Sequence, residues 1–270
     1  MRTLFVAAGL ALIAVLAAVT SSSAAINGAP KAGDSLTQTE LLGYLFVAPQ
    51  RGDWLRYRVS IDDNTVLQKT VGFGAEQLGD SQRAYFETQT QTSGLIGSPV
   101  ESNEVAGGNL VWKMYVDASD FDDPTRLYSF VAGIIKIGDA IFRLGGGPGQ
   151  PPPAYHQSLQ ALVLYGTLPL PDDRTGVVSA STPQDIDVNG ATVHTVHTTV
   201  DFAAHDIGMA TGLPKAHVEM WQTTDVPLGV VRIRSTTNGH VYSVDLIAYG
   251  HGSYRSVIIQ KLDDIPYFPG

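Results

Sequence analysis

The chain has 270 residues, a formal net charge of −9 and no cysteine. Its 17 basic residues form no run against 26 acidic ones, which excludes nucleic acid and anionic membrane surfaces as natural partners. The length suffices for one large domain whose core needs no disulfide.

Residues 1–25 read as a targeting segment. Arg2 opens it, Leu4 to Val19 is uninterruptedly apolar, and Ser23 and Ala25 stand at the −3 and −1 positions of a cut. A retained membrane anchor is the competing reading, but the apolar run is short of the roughly 20 residues that span a bilayer. The absence of cysteine also excludes lipid attachment to an N-terminal cysteine. The protein is therefore expected to be exported, periplasmic or extracellular after cleavage.

Residues 26–52 are expected to hold a mobile leader, Asn27 to Gly33, and a short helix over Ser35 to Val47 capped by Ser35. From residue 53 to 270 the pattern turns to period two. In WLRYRVSI, Leu55, Tyr57, Val59 and Ile61 share one face of a strand. Asp62-Asp63-Asn64 is a turn, followed by strands over Thr65 to Phe73, Arg83 to Thr92 and Asn109 to Val116. The stretch Pro124 to Gly147 fits either one helix or two strands broken at Gly138-Asp139. Its β-branched Ile134, Ile135, Ile137 and Ile141 favour strands. Gly145 to Pro153 is a break, and Ala154 to Tyr165 is a short helix candidate.

The last third is clearer. Asn189-Gly190 joins DIDV to ATVHTVHTTVDF as a two-residue hairpin. Glu219 to Gly250 reads as strand, Pro-Leu-Gly bend, strand, Asn-Gly turn and strand, with a final strand over Tyr254 to Gln260. About ten to twelve strands with one or two helices result, an all-β chain built on a single antiparallel sheet.

No catalytic constellation emerges. His194 and His197 lie three apart in a strand, so they point to opposite faces and cannot share an ion without a bulge. No nucleophile turn of the G-x-S-x-G kind exists, and Gly145 to Gly147 lacks the Lys-Ser/Thr of a phosphate loop. The paired carboxylates Asp62-Asp63, Asp122-Asp123, Asp172-Asp173 and Asp263-Asp264 all fall in turns. Asp117 to Asp123 fails the EF-hand spacing. No cofactor, metal or catalytic residue is expected. What remains is aromatic surface, which fills a core in a sandwich and lines an apolar cavity in a curved sheet. Trp54, Tyr57, Trp112, Tyr128 and Trp221 are the candidate lining residues.

Two segments carry a resemblance. RGDWLRYRV with VGFGAEQLGDSQRAYFET, and VEMWQTTDVPLGVVRIRST with VDLIAYG, preceded by the VNG hairpin, resemble uncharacterised exported branches of the LolA/LolB-like lipoprotein-carrier superfamily. The resemblance implies an incomplete, strongly curved half-barrel with helices on its concave side. It also implies a carrier of an acyl lipid or a lipid-modified protein, and the chain is expected to be a non-enzymatic monomer. The Gly/Pro stretch at Gly145 to Pro153 departs from the pattern, and no arginine aligns with a functional position. The alternative is a structural or protein-interaction module of the envelope with a filled core.

Overall fold

The period-two alternation becomes strands nearly residue for residue. The computed structural model describes residues 29–78, 80–92, 110–117, 121, 132–144, 174–204 and 214–267. The strands are β1 (Ser35–Leu36), β2 (Trp54–Ile61), β3 (Asn64–Leu78), β4 (Ser81–Thr92), β5 (Leu110–Val116) and β6 (Ala132–Ile137). They continue as β7 (Ala140–Leu144), β8 (Gly176–Val188), β9 (Ala191–Phe202), β10 (Ala216–Gln222), β11 (Val230–Thr237) and β12 (His240–Gly250). All twelve form one antiparallel sheet in the order β1-β8-β9-β10-β11-β12-β2-β3-β4-β5-β6-β7. Its two ends, β1 and β7, do not pair with each other, so the sheet is open and no barrel closes. Among the described residues helix is limited to α1 (Gln38–Gly43), a 3-10 turn at Leu262–Asp264 and the 3-10 residue Phe121.

The sheet is strongly rolled at one end. Strands β8 and β12 are four positions apart in the order, about 19 Å in a flat sheet, yet their Cα atoms approach within 8 Å. Register shifts between Val178 and Ala180, Trp221 and Gln222, and Leu246 and Ala248 lie in this part, where bulges bend and twist the strands.

Turn chemistry sets the hairpins. Asp62-Asp63, Asn189-Gly190 and Asn238-Gly239 hold positive φ at both positions, as a two-residue hairpin turn requires. Asn64, expected in the first of these turns, opens β3 instead. Gly138-Asp139 joins β6 to β7, which decides for strands over Ala132 to Leu144. In the Pro-Leu-Gly bend, Leu228 and Gly229 have φ of 64° and 77°. A Cβ on Gly229 would sit 1.8 Å from Leu45 O. Leu228 N–H donates to Val47 O at 2.8 Å, so the bend docks the segment that follows α1.

Three expectations need correction. Thr37, not Ser35, caps the helix: its hydroxyl accepts from Glu40 N–H while the Glu40 carboxylate takes the Thr37 N–H. Ser35 and Leu36 form β1 against β8. The second half of the leader is docked: Pro30 is buried and Gly33 N–H donates to Val178 O at 2.8 Å. Tyr254 to Gln260 is no strand but an irregular strap, for a reason given below. The targeting segment, Gly145 to Pro153 and the helix candidate at Ala154 to Tyr165 lie outside the described residues.

Candidate binding face

Strand register assigns every side chain of the sheet to one of two sides. Leu55, Tyr57 and Val59 of β2 share a side with Lys69, Val71 and Phe73 of β3, Phe86, Thr88 and Thr90 of β4, and Leu110, Trp112 and Met114 of β5. Leu41 and Leu42 of α1 join the core on this side, and Gln222 Nε2 donates to both their carbonyls at 3.1 Å. The opposite side carries Glu76, Tyr85, Glu87, Lys113, Tyr115 and Ile134, and the strap of residues 251–267 lies across it.

The strap side is polar and sealed. Glu87 is fully buried and accepts from Tyr254 OH, Ser256 Oγ and Val257 N–H. Lys113, also fully buried, donates to Glu76 Oε1, to Ser256 Oγ at 3.1 Å and to Ile258 O at 3.3 Å. Its ammonium stands 4.2 Å from the Tyr85 ring centroid. Burial, with Glu76 and Glu87 nearby, pushes the Tyr85 hydroxyl up to about 12. Burial also raises Tyr115 and Tyr254. Both therefore stay protonated and donate, Tyr115 to Glu76 and Tyr254 to Glu87. Gly72 and Gly74 leave room for the rings of Tyr254 and Tyr85. Side chains thus take the strap's polar groups, which is why an apolar Val257-Ile258-Ile259 run that reads as a strand forms none. Ile258, Leu262 and Ile265 turn inward to close a second small core.

The helix side is apolar, and only part of it is filled. Over β9–β12 and β2 its residues Val200, Val218, Met220, Ile233, Val244 and Tyr57 are buried, and the Tyr57 hydroxyl donates to Val230 O at 3.0 Å. Toward the β6–β7 turn burial falls. Leu110 and Trp112 of β5 and Phe142 and Leu144 of β7 are half-buried, and Ile137 of β6 is 50% exposed. Register makes them one patch, through the rows Thr90–Leu110–Ile137 and Thr88–Trp112–Ile135–Phe142. On the same side, at the β3 margin of the patch, stands Lys69, 5% exposed between Tyr57 and Thr90 in register. Burial lowers its pKa to about 7.

The five candidate lining residues divide between the sides. Tyr57 and Trp112 lie on the helix side. Trp221 lies on the other, stacked on His197 with centroids 4.2 Å apart, its Nε1 donating to Gln184 Oε1 at 2.9 Å. Trp54 is also there, packed on Gly250 and donating to Ser253 Oγ at 3.0 Å. Tyr128 lies outside the described residues. The sheet therefore brings two of the four placed residues to one face.

His194 and His197 do point apart: His194 meets Asp185 at 2.7 Å and His197 meets Glu219 at 3.2 Å. His217, His240 and His251 each pair a carboxylate as well, Asp201, Asp62 and Asp53. Among the described residues no group of three His, Asp or Glu side chains could hold a metal ion. Sequence reasoning passed over Lys69, although a signal exists: it interrupts the apolar row Leu67, Val71, Phe73. Glu87 and Lys113 gave no such signal, since their opposition depends on which strands pair.

No protein-family profile and no curated protein matches the chain. Among solved structures, a protein of Parabacteroides distasonis described as a lipoprotein aligns over 76% of this chain and 98% of its own, at 10% identity and a TM-score of 0.35. LprF of Mycobacterium bovis aligns over 74% of this chain and 86% of its own, at 13% identity and a TM-score of 0.29. At such scores neither likeness bears on the fold, which rests on the strand register.

Proposed function

We propose that this chain is an exported, non-enzymatic binder or carrier of a hydrophobic ligand of the acyl-lipid class, held on the helix side of β5–β7. One observation carries the reading. A single side of one continuous sheet is filled over β9–β12 and leaves Leu110, Trp112, Ile137, Phe142 and Leu144 partly open at the other end. An apolar patch bounded by polar residues is the surface a protein keeps for a ligand or a partner. The resemblance of the strand motifs to lipoprotein carriers agrees with it. Native mass spectrometry with lipid extraction, on protein purified from the producing envelope, tests the reading. Co-purified acyl lipid supports it, and a clean apo mass counts against it.

Among the described residues the edge of β8 beyond Val178 has no pairing strand, which favours a second reading, an interaction module of the envelope. β1 pairs only with Gly176 and Val177 at the start of that thirteen-residue strand. Pro183, Asp185 and Asp187 stand farther along β8, residue types that discourage strand addition. Edge blunting of this kind makes the apolar patch the stronger candidate.

A further inference from the structure

The sequence holds no basic run, yet strand register assembles a basic field on the side of the sheet away from α1. Arg56 and Arg58 of β2 and Arg232 and Arg234 of β11 all stand there. They are joined across β12 by the rows Arg58–Asp245–Arg232 and Ser60–Ser243–Arg234. Residues two apart on one strand are about 7 Å from each other, and strands two positions apart roughly 10 Å. Four guanidiniums thus share one small area of a chain whose net charge is −9, and Arg56, Arg58 and Arg234 are exposed. The nearby carboxylates are engaged elsewhere. Asp245 pairs with Arg232, and Glu219, beside Arg234 in register, meets His197. Among the described residues Arg58 and Arg234 form no ion pair, and the Arg56 guanidinium stands 5.9 Å from the Trp54 ring centroid.

All four cations are arginines, whose planar fork takes a carboxylate through two parallel hydrogen bonds where a lysine offers a point charge. Arginine and tryptophan are also the residue types that anchor protein interfaces. A membrane surface, by contrast, attracts lysine and arginine alike through charge alone. We propose that the outward face of β2, β12 and β11 docks a protein partner through an acidic segment, whose carboxylates Arg56, Arg58 and Arg234 take. An extended segment with carboxylates at alternate positions repeats them about every 7 Å, the spacing of Arg56 and Arg58. The inference is independent of the ligand reading, because the two faces belong to opposite sides of the sheet.

The test measures binding of a fluorescent peptide of alternating Glu and Ser, and of its counterpart with Gln in place of Glu. Vesicles of phosphatidylcholine and phosphatidylglycerol in equal parts form a third arm. The wild type is expected to bind the Glu peptide about tenfold or more tighter than the Gln peptide, with an affinity that falls as salt rises. Neutralisation by Arg58→Gln with Arg234→Gln should weaken that binding about tenfold. The same loss of charge on the strap, Arg255→Gln with Lys261→Gln at exposed positions, should leave it unchanged. Unaltered melting temperatures show that both double variants keep the fold. Equal losses in the two double variants, or failure of the wild type to bind the Glu peptide, overturn the docking face. Binding of vesicles alone, lost on neutralising Arg58 and Arg234, overturns the protein partner in favour of a membrane surface.

Discussion

The two sides of β3–β6 solve opposite problems with the same strands. The strap side buries Glu87 and Lys113 and gives each several partners from the C-terminal segment. The helix side buries Lys69 in register with Tyr57 and Thr90 and leaves Trp112 and Ile137 partly open. The comparison teaches that a dense cluster of carboxylate, amine and phenol can be a fastener. Glu76, Tyr85, Glu87, Lys113, Tyr115 and Tyr254 have the composition of an active site. Yet the Glu87 carboxylate, the Lys113 ammonium and the Tyr115 and Tyr254 hydroxyls are each occupied in holding the strap or one another. The face with fewer polar groups is the one on which we place the ligand.

Removing Glu87 breaks the comparison most severely. Glu87→Ala strands the donors of Tyr254, Ser256 and Val257 in a buried site. The expected loss is about 3 kcal/mol or more, read by denaturant melts. Hydrogen exchange should rise over residues 254–262 before it rises in β9–β12. Uniform loosening of the whole sheet would mean that the strap is not a separate fastener.

Lys69→Met should change how stability depends on pH. The Lys69 pKa falls from 10.5 in the unfolded chain to about 7 in the folded one. Between those values the unfolded state binds a proton that the folded state lacks, so this group's contribution to stability grows as the pH rises from 7 to 10.5 and is lost as the pH falls through 7. The wild type is therefore expected to gain stability from pH 7 to pH 10, and Lys69→Met to lose that rise. A pH-independent change in melting temperature would contradict this account of Lys69. Ile137→Ser, at a half-exposed site, should shift stability by no more than about 0.5 kcal/mol, while weakening acyl-chain binding.

The architecture was legible because local signals agreed. Period-two alternation placed β2, and Asn189-Gly190 and Asn238-Gly239 fixed two hairpins through their positive φ. The Gly138-Asp139 break was equally readable, while the helix alternative there fell only to the pairing of β6 with β7. The site was less legible. Alternation within a strand assigns Trp54 and Tyr57 to opposite faces, but whether Trp112 and Trp221 share a side depends on a register running through β10, β11, β12, β2, β3, β4 and β5. The strap was misread because its polar partners come from β4 and β5, more than a hundred residues earlier for each bond.

The most direct test of the central claim is tryptophan quenching by a brominated acyl chain. Three tryptophans report on the two sides: Trp112 on the helix side, Trp54 and Trp221 on the other. Titration of the wild type should quench part of the emission at saturation. Trp112→Phe should abolish that quenching, and Trp54→Phe should leave it intact. Absence of quenching in the wild type, or quenching that survives in Trp112→Phe, would contradict the assignment of the helix side of β5–β7 as the binding face.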